Sequence, residues 1–89
     1  MKVASQKLLR EFIDSHPKSK TLVRNWFDII ESRDFYSYED LKDVFKSVPM
    51  AGPHYAFGLG KKYWVIAAVH FKLKIVCVIQ VLTREEFLE

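Results

Sequence analysis

The chain has 89 residues with 14 Lys and Arg against 11 Asp and Glu, a net charge of +3. That length builds one hydrophobic core and not two, so the reading is a single domain spanning 1–89. One cysteine, Cys77, excludes an internal disulfide framework and a cysteine-based zinc site, and Lys72, Lys74 and Gln80 break the apolar runs short of the roughly 20 residues of a membrane span.

The opening residues carry charges where a signal peptide needs an apolar stretch, which points to a cytoplasmic protein without membrane contact. Met1 to Ala4 is a candidate edge strand. Ser5 is placed to cap a helix in which Leu8, Leu9, Phe12 and Ile13 recur at helical spacing. Pro17 stops that helix and pushes His16 out of helical angles. His16 is expected at the helix end, facing the last carbonyls. A second helix starts near Ser19 or Thr21, with Leu22, Val23, Trp26, Phe27 and Ile30 as its apolar stripe. It ends around Arg33 and Asp34. Ser37, with Asp40 three residues on, caps a short helix through Leu41, Val44 and Phe45.

After Pro49 the pattern changes from helical to extended. Gly52-Pro53 marks a turn, and His54 to Phe57 reads as a strand that ends at Gly58 and Gly60. From Tyr63 to Phe71, the odd positions Tyr63, Val65, Ala67, Val69 and Phe71 form one apolar face. Trp64, Ile66, Ala68 and His70 form the other. Ile75 to Leu82 is a second long strand rich in β-branched residues. Lys72-Leu73-Lys74 is too short for a crossover helix, so the two strands pair as an antiparallel hairpin. The turn lacks Gly and Asn. Cys77, among Ile75, Val76 and Val78, is expected to be a buried, inert thiol. The fold class is therefore α+β, with N-terminal helices packed on one face of a small antiparallel sheet and the other face partly open.

The charge is distributed unevenly. Between Val44 and Arg84 there is no Asp or Glu, while Lys46, Lys61, Lys62, Lys72, Lys74 and Arg84 lie there. A sheet built from that stretch can present a positive face to phosphates. Lys61 and Lys62, in a tight turn after Gly60, are well placed to grip a phosphate backbone. Ser/His/Asp and HExxH arrangements are absent, and Gly58-Leu59-Gly60 lacks the helix and Lys-Ser/Thr of a P-loop.

Several segments together resemble the HigB family of type II toxin–antitoxin toxins. They are His54-Tyr55 with Phe57; Tyr63 with Ile66-Ala67-Ala68 and His70-Phe71; and Val81-Leu82-Thr83 followed by Glu85-Glu86-Phe87. Leu8-Leu9-Arg10-Glu11-Phe12 followed by His16-Pro17, and Arg24 with Trp26, extend the likeness over nearly the whole chain. The resemblance implies a RelE-like fold and ribosome-dependent cleavage of messenger RNA without metal or other cofactor. It also implies a HigA-like helix-turn-helix antitoxin as partner. In such toxins the RNA 2′-hydroxyl attacks the adjacent phosphate, so the site needs proton transfer and cations. For that chemistry Arg84, His70 and His54 are the catalytic candidates, and Lys61, Lys62, Lys74 and Trp64 the RNA-binding ones. This chain departs from the family pattern at several of those places. Trp64 stands for an arginine and Gly58 for an asparagine, Ile79 and Gln80 for an arginine and a polar partner, Arg84 for a histidine and Phe87 for a tyrosine. Trp64 has two readings, stacking on a base or packing where the arginine would work. The substitutions leave an alternative function open, a weak or inactive homologue that binds antitoxin or RNA without cutting.

Overall fold

A computed structural model describes residues 1–89. In chain order the elements are β1 (Lys2–Ala4), α1 (Gln6–Ser15), a 3-10 turn (Pro17–Ser19), α2 (Lys20–Glu31), α3 (Tyr38–Val44), β2 (Met50–Ala51), β3 (His54–Leu59), β4 (Tyr63–His70), β5 (Ile75–Thr83) and α4 (Arg84–Leu88). The strands form one five-stranded sheet in the order β1-β5-β4-β3-β2. Every pairing is antiparallel except the edge strand β1, which runs parallel to β5. The sheet is therefore mixed, because the chain must climb back along α1 before it can reach the hairpins. The arrangement is α+β, with the helices packed against the sheet.

The predicted apolar face of β4 is the one the helices cover. Phe12 of α1 meets the Tyr63 ring edge-on at 5.6 Å, and Trp26 of α2 meets Phe57 at 5.4 Å. Phe45, just past α3, reaches the other side of Phe57 at 5.2 Å and also packs near Phe35. Trp26, Phe35 and Phe57 are fully buried with Ile30, Leu41, Val65 and Val76 around them. Large rings thus fill a core too small to be filled by many aliphatic side chains.

Local chemistry sets the element ends. The Ser37 hydroxyl accepts from the Asp40 N–H at 3.3 Å, as a helix cap should. Ser5 does not cap α1 with its side chain; it adopts left-handed angles (φ 63°) and turns the chain out of β1. Pro17 ends α1 as expected, but the His16 ring stacks on Phe12 at 4.2 Å and its Nδ1 is buried without a partner. It is the His16 backbone N–H, not the ring, that reaches the Phe12 carbonyl, at 2.7 Å.

The turn after Phe71 lacks glycine, and Lys74 supplies the left-handed residue itself (φ 58°). The Lys74 ammonium lies 3.2 Å from Asp34, which also pairs with the Met1 α-amino group at 3.3 Å. These two cations, Lys74 first, hold the Asp34 carboxyl below its usual range.

Two irregularities shape the sheet around the site. A bulge on β5, opposite Ile66 and Ala67 of β4, leaves Ile79 unpaired. Gly60 closes the β3–β4 turn at φ +65°, and a Cβ there would lie 3.3 Å from Leu22 Cδ1 of α2. Gly60→Ala combines left-handed strain with that contact. We expect it to cost about 1–2 kcal/mol, read as a lower urea midpoint at unchanged slope.

Candidate functional site

The face of the sheet away from the helices, open at His70, carries Ala56 and Gly58 of β3, Trp64, Ile66, Ala68 and His70 of β4, and Cys77 of β5, with Ala56 and Ile66 buried among them. At one end of this face is a cavity of about 520 Å³ lined by Lys46, Ser47, Gly58, Gly60, Lys61, Trp64 and Arg84, among others. No Asp or Glu lines it. Each cation reaches it from a different segment. Lys46 follows α3, where the chain runs beside β3 and the Gly58 N–H donates to the Ser47 carbonyl at 3.1 Å. Lys61 comes from the β3–β4 turn. Arg84 is the first residue of α4, and its backbone N–H donates to the Lys62 carbonyl at 2.7 Å, extending the β4–β5 ladder by one bond. The backbone under the guanidinium is therefore fixed while the side chain stays exposed.

The cavity wall is aromatic. Trp64 stacks on Phe87 with centroids 4.3 Å apart and planes 15° apart. Trp64 and Gly58 are direct cross-strand partners, and a Cβ on Gly58 would come 3.3 Å from the Trp64 ring. A large ring lying across a strand glycine restores packing that the glycine lacks. Gly58, Trp64 and Phe87 are thus one physical unit: the indole needs the glycine beneath it and the phenyl against its face. Phe87 occupies one face of Trp64, which favours packing over base stacking at that face.

α4 is held by a capping box. The Thr83 N–H donates to the Glu86 carboxylate at 2.9 Å, and the Glu86 N–H donates to the Thr83 hydroxyl at 3.3 Å. Those bonds, with a smaller contribution from the His16 side chain, keep the Glu86 carboxyl below its usual range. The cap orients both Arg84 and Phe87, since they sit on the same short helix.

The remaining predicted residues lie elsewhere. Lys62 faces the other side of the turn, in a separate cavity with Lys18 and Tyr63. His70 pairs with Ile75 at the far end of β4, six positions from Trp64 and so about 20 Å along the strand. His54 continues the register opposite Ala68, which makes it a diagonal neighbour of His70 on the open face. The two histidines therefore share a location, but not the location of Arg84. Lys74 is at the hairpin tip, paired with Asp34, on the order of 30 Å of strand from Arg84. Ile79 points beside α1, in a cleft with Leu8, Phe12 and His16. Cys77 is half-exposed and not buried, because it pairs with Ala68 on the open face; its Sγ lies 3.7 Å from the Ser5 hydroxyl. Lys46 and Ser47 were not singled out by sequence. The acid-free stretch that contains Lys46 was the only signal for it.

No helix of the structure is long and apolar enough to cross a membrane. A family model described as HigB_toxin, RelE-like toxic component of a toxin-antitoxin system, matches residues 19–88, from the end of the 3-10 turn through α4. No curated protein matches the chain.

Proposed function

The chain belongs to the HigB family, RelE-like toxic components of toxin–antitoxin systems, and we propose that it is a ribosome-dependent endoribonuclease that cleaves messenger RNA in the cytoplasm. The family carries the toxin role and the need for an antitoxin partner; we take that partner to be a HigA-like helix-turn-helix protein. The observation that carries the cleavage reading is the convergence of Arg84, Lys61 and Lys46, with no acid among them, on one cavity at the end of the open face.

In the reaction the 2′-oxygen forms a bond to phosphorus while the bond to the 5′-oxygen of the next nucleotide breaks. One proton leaves the 2′-hydroxyl and one is delivered to the departing oxygen. Negative charge builds on the phosphate between those events. Arg84 matches that charge with paired N–H donors, and Lys61 and Lys46 neutralise it from two other directions. His54 at the start of β3 and His70 at the end of β4 lie too far along the sheet to touch the same phosphate, so their part in this scheme is contact with RNA further across the open face. Lys62 faces the other side of the turn, and Lys74 is committed to Asp34.

A specific observation favours the second reading, a weak or silent homologue that binds antitoxin or RNA without cutting. The cavity lining holds no histidine, carboxylate or tyrosine to move protons, and its wall carries the apolar rings of Phe45 and of Trp64, the latter stacked on Phe87. Controlled expression separates the two readings. Growth arrest with newly cut messages, relieved by co-expressed antitoxin, supports the nuclease. Growth without cut messages, while the chain still binds antitoxin, supports the silent homologue.

A further inference from the structure

Resting on the RNA-binding reading above, we propose that the RNA strand runs on from the Arg84 cavity, around the β3–β4 turn, to a second phosphate subsite made by Lys18, Lys61 and Lys62. Beyond the turn is a separate cavity of about 290 Å³ lined by Lys18, Leu22, Lys61, Lys62 and Tyr63. Lys61 lines both cavities, so the two adjoin at one side chain. No acid lines either of them, and none of the cations involved makes an ion pair. Lys18 is brought there by the 3-10 turn that Pro17 begins. The turn bearing Lys61 and Lys62 is brought there by Gly60, whose missing side chain lets it sit against Leu22. Uncompensated positive charge from two distant parts of the chain therefore meets at one place.

The geometry selects the ligand. The first cavity opens on the Trp64 face of the sheet, and the second lies on the Tyr63 side, which packs against the helices. A path between them bends around a tight turn. A stiff duplex cannot follow that bend, whereas a flexible single strand can place successive phosphates on each side of it. The occupant is thus the phosphodiester backbone of single-stranded RNA.

The test is fluorescence anisotropy of the full chain with a short labelled single-stranded RNA, repeated over a salt series. Each released phosphate contact removes roughly 0.7 from the slope of log affinity against log salt for a single strand. Lys18→Ala combined with Lys62→Ala should therefore lower the slope by about 1.4. Lys18→Arg with Lys62→Arg should keep the slope. These lysines are exposed, so the fold survives their removal. The charge-matched control, Lys2→Ala with Lys7→Ala, removes exposed lysines outside both cavities and should leave the slope nearly unchanged.

An unchanged slope for the Lys18/Lys62 pair, while Arg84→Ala still weakens binding, overturns the second subsite and leaves the RNA reading standing. An equal loss in the control pair overturns it too, since net charge alone then explains the effect. Duplex RNA binding as tightly as single-stranded RNA contradicts the bent path. No binding of the parent chain to single-stranded RNA at any salt overturns the subsite, and direct RNA binding by the first cavity with it.

Discussion

Arg84→Ala is expected to abolish growth arrest on induction and to slow message cleavage by about 10²-fold, the usual effect of removing one preorganised donor from a developing charge. Arg84 begins α4, where its backbone is tied to Lys62 and its side chain is exposed in the cavity. Alanine is a good helix former, so the substitution should leave stability within about 0.5 kcal/mol of the parent. That separation matters, because lost activity then reports on phosphate and not on folding. Arg84→Lys should recover part of the activity, since it keeps the charge but loses the planar pair of donors. Adding Lys61→Ala should deepen the defect by less than the product of the single effects if both act on one phosphate. The measurement is primer extension on messages from induced cells, with the urea midpoint of each variant alongside.

Phe57→Ala is expected to cost about 3–5 kcal/mol, the largest stability loss of any change considered. Phe57 is fully buried between Trp26 and Phe45, so its removal takes away the ring that Trp26 packs against, leaves Phe45 with Phe35 alone, and opens a cavity in the core. Small domains hold only about 5–15 kcal/mol in total, so the variant should sit near its unfolding midpoint. Phe57→Leu retains much of the volume and should cost less. Urea unfolding of the two variants decides the matter; a loss under about 1 kcal/mol for the alanine variant would contradict the central place given to this ring. The effect would also reach the site, because Phe57 is the chain neighbour of Gly58 and holds β3 against the helices.

The parts of this fold that are legible in the sequence are those set by periodicity and by local chemistry. Alternation along Tyr63–His70 identified both faces of the central strand, and Ser37 with Asp40 identified the cap of α3. Features that depend on another part of the chain were hidden. The parallel pairing of β1 has no local signature, nor does the bulge that displaces Ile79. Lys74 in a left-handed conformation was unexpected because glycine or asparagine usually takes that role. Cys77 reads as core in an apolar run, yet the pleat turns it to the open face.

The same contrast applies to the site. The acid-free stretch from Val44 to Arg84 correctly pointed to a basic surface, and Arg84, Lys61 and Trp64 do meet around one cavity. Sequence could not say that His54 and His70 would stand at the other end of β4, because strand length converts a few residues into tens of ångströms. Nor could it say that Gly58, Trp64 and Phe87 would pack as one unit around the indole. Gly58 and Phe87 both meet the Trp64 ring, so the glycine and the phenyl are each explained by the indole between them. An arginine placed alone at position 64 would strip Phe87 of its stacking partner, so restoring the family pattern there calls for changing the three positions together.

The most direct test of the central claim, that the Arg84–Lys61 cavity is where this toxin acts on RNA, uses purified chain added to translating ribosomes carrying a defined message. Cut sites are mapped by primer extension for the parent chain, for Arg84→Ala with Lys61→Ala, and for His54→Ala with His70→Ala. Cleavage by the parent and by the histidine variant, lost when Arg84 and Lys61 are removed, is the predicted result. Cleavage that survives without Arg84 and Lys61 but disappears without the histidines would contradict the account.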